Sequence, residues 1–224
     1  MTETATRPTH CPTLTIADRG PGRRLDAEDR AQLTSWLKQA GRDHAAVVLL
    51  RVDADAWAHR ALPEDPVDDA TAIGAGPHAL LRALEAASFP VVVHAQGQVS
   101  ELGLAALLAA DVRVLAPGAT LAFDGSTAPS LHAAGLPAVV RQRDARAADL
   151  LWTGAVLTTA EANARGLVSE VPEVDRAEEL AAAIASAPGS ASVLRRSLRA
   201  DGAAQLAERL EYDAWLAVAA GSRR

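Results

Sequence analysis

Lysine is almost absent from this chain. Lys38 stands alone among 22 basic residues, and the others are arginine. Any contact to a phosphate must therefore come from an arginine, a backbone N–H or a helix N-terminus. Cysteine is limited to Cys11, which excludes an internal disulfide and a thiolate metal cluster and suits a reducing cytoplasm. Aromatic residues make up 3%, so the core must be built from Ala, Leu and Val. The net charge of −6 gives no clustered positive field for a nucleic-acid groove. No apolar run approaches the roughly 20 residues of a membrane span; the best candidate lies within 102–110. The histidines are scattered without zinc-ligand spacing. Neither a nucleic-acid partner, a membrane partner nor a metal is expected. Residues 1–12 are polar and rich in Pro and Thr, lack the apolar stretch of a signal peptide, and read as a flexible tail.

What is present is apolar sequence in abundance. Hydrophobic residues are 49% of 224, enough for a real core. Residues 45–52, AAVVLLRV, form a nearly continuous apolar run, the mark of a strand buried on both faces of a parallel sheet. Further strands are expected at 14–17, 91–95, 112–115, 119–123 and 168–171. A helix is expected over 25–40, ended by Gly41, with others over 77–88, 104–110, 145–151, 158–165 and 177–187. The helix at 158–165 carries Thr158 or Thr159 as cap, Glu161 in its first turn and Gly166 as its stop. Pro188 and Gly189 are expected to close the helix before them. The final stretch, 191–219, reads as two helices hinged near Asp201 and Gly202. Residues 53–76 and 124–137 are long and irregular, which marks functional or mobile loops. Strands alternating with helices predict a parallel sheet with βαβ crossovers.

From Phe89 onward the spacing resembles the crotonase (enoyl-CoA hydratase/isomerase) superfamily. The residues that carry this are Pro90-Val91, Gly97, a turn at 100–103, a short helix at 105–110, and Asp111-Val112-Arg113-Val114. Leu151-Trp152-Thr153-Gly154, Leu157 to Ala162 and Arg165-Gly166-Leu167-Val168 resemble the family's later motifs, and 205–219 its C-terminal helix. The resemblance implies an α/β fold, a crotonase-like spiral of ββα units with a C-terminal helical region. It divides the chain into the tail at 1–12, the core at 13–188 and a helical trimerisation region at 189–224. It also implies chemistry on an acyl thioester. Two backbone N–H groups would hold the thioester oxygen as it gains negative charge, each donor contributing on the order of 3 kcal/mol. By spacing these are Ala61, placed through Trp57, and Leu102, at the start of the short helix.

The family's two glutamate positions fall on Ala105 and Gly125, and neither residue can move a proton. Three other residues are candidates for proton transfer. Asp124 follows a buried strand, where desolvation would raise its pKa, although Asp124-Gly125-Ser126 also reads as an ordinary Asx-turn. His59 lies in the first long loop. Glu101 stands beside the expected Leu102 donor, where it would have to be protonated or turned away from an enolate, or would simply favour the helix dipole. Glu101 and Leu102 replace glycines of the pattern, and a positive φ there would strain a side chain. His94 reads as a hydrogen-bonded core residue, and His132 as a loop histidine that would face an acyl pocket or solvent. Ser100 and Ser126 lack a His/Asp partner for a nucleophilic triad.

Two functions stay open. One is an enzyme that dehydrates or hydrates, isomerises or decarboxylates an acyl thioester through an enolate. The other is a non-catalytic accessory protein that assembles with a biosynthetic synthase. No cofactor is expected beyond coenzyme A or phosphopantetheine as the substrate's carrier. The family often has a further helix covering the coenzyme, whereas this sequence ends at Arg224. An acyl carrier protein is therefore an alternative partner, met by Arg141, Arg143 and Arg146. Residues 93–99 resemble hydratase-like proteins of polyketide biosynthesis. The family resemblance also implies a homotrimer or hexamer, with Leu206, Leu210, Trp215 and Leu216 as packing residues.

Overall fold

The computed structural model describes residues 12–16, 27–53, 78–123, 135–143, 147–169, 176–199 and 202–221. The apolar runs become a four-stranded, all-parallel sheet of β1 (Thr13–Ile16), β2 (Val48–Asp53), β3 (Val91–Gln96) and β5 (Val112–Leu115), in the order β1-β2-β3-β5. A second, smaller sheet joins β4 (Gln98–Ser100), β6 (Thr120–Ala122) and β7 (Val156–Thr158), with β4 parallel and β7 antiparallel to β6.

Burial on both faces explains why β2 and β3 are apolar at four of six positions each. Val48, Leu50, Val52, Val91, Val93 and Ala95 enter the main core on one face. Leu49 and Val92 enter a smaller core on the other, beneath α7 (Ala177–Ala185), which contributes Ala177, Ala181 and Ala185. The main face is covered by α1 (Ala27–Arg42), α2 (Ala79–Ala86) and α3 (Glu101–Ala109). Residues 102–109 of α3 are all buried, so this helix is apolar all round because it has no solvent face. Each of Leu102, Leu104, Leu107 and Leu108 is at most 1% exposed, and burial of such a side chain contributes about 1.5–3 kcal/mol.

The remaining helices are α4 (Leu136–Arg143), α5 (Ala148–Thr153), α6 (Thr159–Ala164), α8 (Pro188–Arg199) and α9 (Gly202–Gly221). The helix α9 packs on α2 and α4. Its Asp213, 1% exposed, accepts the Ala138 N–H at the start of α4 at 2.9 Å, satisfying a first-turn donor. Leu206 and Leu210 are buried in this chain's own core.

Several boundaries differ from expectation. Gly41 does not end α1. Ala45 donates to the Ala40 carbonyl and His44 to that of Gly41, with His44 at φ 55, so His44 takes the left-handed closing position usually given to glycine. The expected turn at 100–103 lies earlier. Gly97 (φ 71) makes it alone, β4 follows, and α3 starts at Glu101. The run at 168–171 forms no strand in its described part; Ser169 makes one backbone bond, to the Arg113 carbonyl. The strand β7 was not expected, since three residues carry too little pattern. The helix α4 begins where an irregular segment was expected to continue. Pro188 opens α8 rather than closing α7, because proline's missing N–H costs nothing at a first helical position.

Candidate functional site

The strand register gathers the chemistry-bearing residues at one end of the sheets. Asp53 ends β2 opposite Gln96, which ends β3. In open parallel sheets ligands bind beyond these carboxyl ends. Gly97 then turns the chain into the smaller sheet, where Ser100 pairs with Ala122. The start of α3 and the end of β6 are therefore neighbours. Phe123, buried and held by its N–H to the Ala155 carbonyl at 2.9 Å, leads directly into residue 124.

Glu101 is the first residue of α3, half-buried, with φ 42. A glutamate in this left-handed region carries about 1–2 kcal/mol of strain that a glycine would not. Non-glycine residues held this way cluster at functional sites. Leu102 follows at the second helical position, so its N–H has no acceptor within the helix. Ser100, at the capping position, makes no side-chain hydrogen bond to the first turn. The Leu102 amide, which has no acceptor within the helix, and the partial positive charge of the helix end make this a place that favours an oxyanion. Ala105, one turn on, is fully buried with no exposed surface.

Of the residues singled out in the sequence, the structure brings together Glu101 and the Leu102 amide, beside the strand end that leads to Asp124. Asp124, His59, Ala61, Trp57, Gly125, Ser126, His132 and Arg146 lie outside the described residues. His94 lies on β3, 4% exposed, and by alternation shares the face of Val92 under α7, away from α3. Arg141 is exposed on α4. Gln96 and Gln98, both exposed, flank Gly97 at the site's edge. Sequence reasoning gave them no role, because a glutamine neither titrates nor stands out as a ligand.

A second polar cluster lies at the opposite end of the sheet. Asp111, just before β5, accepts from the Val91 N–H at 2.9 Å, Arg195 Nε at 2.8 Å and Arg199 Nε at 2.8 Å. Arg199 Nη1 also meets Glu85 at 2.5 Å, and Arg195 donates to the carbonyls of Leu84, Glu85 and Ala87. Two carboxylates balance two guanidinium groups, and the guanidinium donors aim at Asp111, at Glu85 and the carbonyls of Leu84, Glu85 and Ala87 around the end of α2, and at the Ala109 carbonyl that ends α3. This cluster fastens α8 to the core.

The sequence matches no protein-family model and no curated protein. Its three-dimensional form is nevertheless similar to many solved structures. An enoyl-CoA hydratase/isomerase from Pseudoalteromonas atlantica T6c shares 23% identity at a TM-score of 0.73, over 92% of this chain and 85% of that one. For an enoyl-CoA hydratase from Bacillus halodurans the values are 18%, 0.74, 94% and 91%. For one from Mycobacterium smegmatis they are 21%, 0.75, 94% and 81%. The chain has the crotonase fold. At these identities the likeness speaks for the fold alone. Among the described residues no helix is long and apolar enough to cross a membrane, and no side-chain group is arranged to hold a metal ion.

Proposed function

We propose that this protein is a crotonase-like enzyme acting on an acyl thioester through an oxyanion-stabilised enolate. The observation that carries the reading is the start of α3, where Glu101 is held at φ 42 directly ahead of the Leu102 amide. The Leu102 N–H, with Ala61 as its expected companion, receives the thioester oxygen. Glu101 or Asp124, with His59 as a further candidate, moves the proton at Cα. The reaction is a dehydration or hydration, an isomerisation or a decarboxylation. The thioester is carried on coenzyme A or on the phosphopantetheine of an acyl carrier protein, as the resemblance to polyketide hydratase-like proteins suggests. The exposed Tyr212 and Trp215, with Val193, Leu194 and Leu198 on α8, support assembly into a trimer or hexamer. The reading places the protein in the cytoplasm.

One observation favours the accessory-protein reading. Ala105 stands where the family's first glutamate falls and is packed without exposure, so nothing at that position activates water. Turnover of a panel of acyl-coenzyme A and acyl-phosphopantetheine thioesters separates the two. Turnover that falls in Asp124→Asn or Glu101→Gln supports the enzyme. Absence of turnover on every thioester, with tight binding to a synthase, supports the accessory protein.

A further inference from the structure

A groove of about 330 Å³ opens between the C-terminal halves of α1 and α2, at the end of the sheet away from the start of α3. Its floor is Leu37 and Phe89, both buried, and its walls include Ala83 and Ala87. Lys38 and Arg42 stand on the rim. The helix itself explains this division. Leu37 and Gly41 lie four residues apart on one row of α1, and Lys38 and Arg42 on the next, so one row faces in and the other borders it.

Three features separate this groove from an ordinary surface dent. First, the cations are uncommitted. Neither Lys38 nor Arg42 forms an ion pair among the described residues. Arg42 meets only the neutral Gln39 oxygen, at 3.4 Å, and the adjacent Asp43 is engaged by the Gln39 amide at 2.9 Å. These are the chain's sole lysine and an arginine, set side by side in a protein of net charge −6. Second, glycine at 41 is unexplained by the backbone. It lies inside α1 without a positive φ, where alanine is the better helix former, and the left-handed closing residue is His44. A Cβ at 41 would rest at ordinary van der Waals distance, 3.6 Å, from Phe89 Cε1, so a longer side chain here would extend over the Phe89 ring. Third, the far wall is preformed. Arg195 donates to the Ala87 and Leu84 carbonyls, which holds the backbone that carries this wall. The carbonyls at the end of α1, which would repel an anion, are partly occupied by the Ala45 and His44 N–H groups.

We propose that this groove binds a carboxylate with a short aliphatic tail, the tail on Leu37, Ala83, Ala87 and Phe89 and the head between Lys38 and Arg42. The site is separate from the start of α3 and does not depend on the function proposed for it. Octanoate titrated calorimetrically into the full chain tests it. Saturable binding is expected, weakened at least about tenfold in Lys38→Gln/Arg42→Gln, whose side chains are exposed and leave the fold intact. Gly41→Leu, which fills the groove, removes binding, and Glu101→Gln leaves it unchanged. Absence of saturable binding to the wild type, or equal affinity in the double charge variant, would overturn the proposal. Binding lost in Glu101→Gln but kept in the groove variants would place the acid at the α3 site and overturn it equally.

Discussion

Replacing Asp111 with asparagine is the sharpest test of how the C-terminal helices are held. Asp111 balances the guanidinium groups of Arg195 and Arg199, each 6% exposed, together with Glu85 at 2%. Asparagine preserves shape but removes one negative charge and turns an N–H₂ toward groups that themselves donate. One carbonyl oxygen remains where two carboxylate oxygens had met Val91, Arg195 and Arg199. Breaking a buried pair in this way costs about 3–5 kcal/mol, because the remaining charge stays buried without compensation. That is a large part of a total stability of about 5–15 kcal/mol. For a chain of this size it corresponds to a fall in Tm of roughly 6–20 °C. Urea denaturation followed by circular dichroism reads the effect as a lower midpoint at unchanged slope. The exposed Arg165–Asp149 pair, at 3.2 Å with side chains 45% and 60% exposed, is the internal comparison. Arg165→Ala should cost less than about 1 kcal/mol. A loss under about 1 kcal/mol for Asp111→Asn would refute the reasoning, since the cluster would then be no stronger than a surface pair.

Other substitutions probe separate parts of the structure. Gly135 has φ 72, and a Cβ there would lie 2.7 Å from both Leu210 Cδ2 and Leu81 Cδ1. Gly135→Ala should therefore destabilise by about 2–4 kcal/mol, combining left-handed strain with overpacking, as measured by denaturant midpoint. Thr158→Ala should cost about 1 kcal/mol through the lost cap of α6. The Glu161 carboxylate that completes this capping box accepts from the Thr158 N–H and hydroxyl, which hold its pKa below the usual glutamate value, with Arg165 adding to the effect. A lowered folded-state pKa gives stability that is present above the ordinary glutamate range and lost as pH falls through the folded value. The gap between wild type and Thr158→Ala should accordingly narrow below about pH 4; a gap that widens there would contradict the assignment.

Much of this fold was legible because its signals are local or periodic. The run 45–52 could only be a strand buried on both faces, and β2 lies with β1 and β3 on either side. Thr158, Glu161 and Gly166 announced α6, and the cap is formed as expected. The failures share a cause, which is that one residue type serves two backbone roles. Gly41 looked like a helix terminator but lies inside α1, while His44 takes the left-handed turn, its own N–H on the Gly41 carbonyl three residues back and the Ala45 N–H on the Ala40 carbonyl five back. Pro188 looked like a stop and was a start. At the site, the spacing put the Leu102 amide at the start of a short helix expected from 104 or 105, whereas the helix opens at Glu101, and a positive φ appears at Glu101 but not at Leu102. The pairing of Ser100 with Ala122, which brings the strand leading to Asp124 beside that helix, depends on contacts between distant segments and left no mark in the sequence.

The central claim is that an acyl thioester forms an enolate at the start of α3. Exchange of the thioester's Cα protons in D₂O, followed by NMR, tests it without knowledge of the natural reaction. The wild-type chain should wash deuterium into Cα of a bound acyl-phosphopantetheine or acyl-coenzyme A. Glu101→Gln should slow this by about 10²–10⁴-fold, the usual contribution of a general base, if Glu101 rather than Asp124 moves the proton; Asp124→Asn resolves that choice. A thioester that binds but exchanges no faster than in buffer would contradict the account and leave the crotonase fold here as a scaffold without proton chemistry.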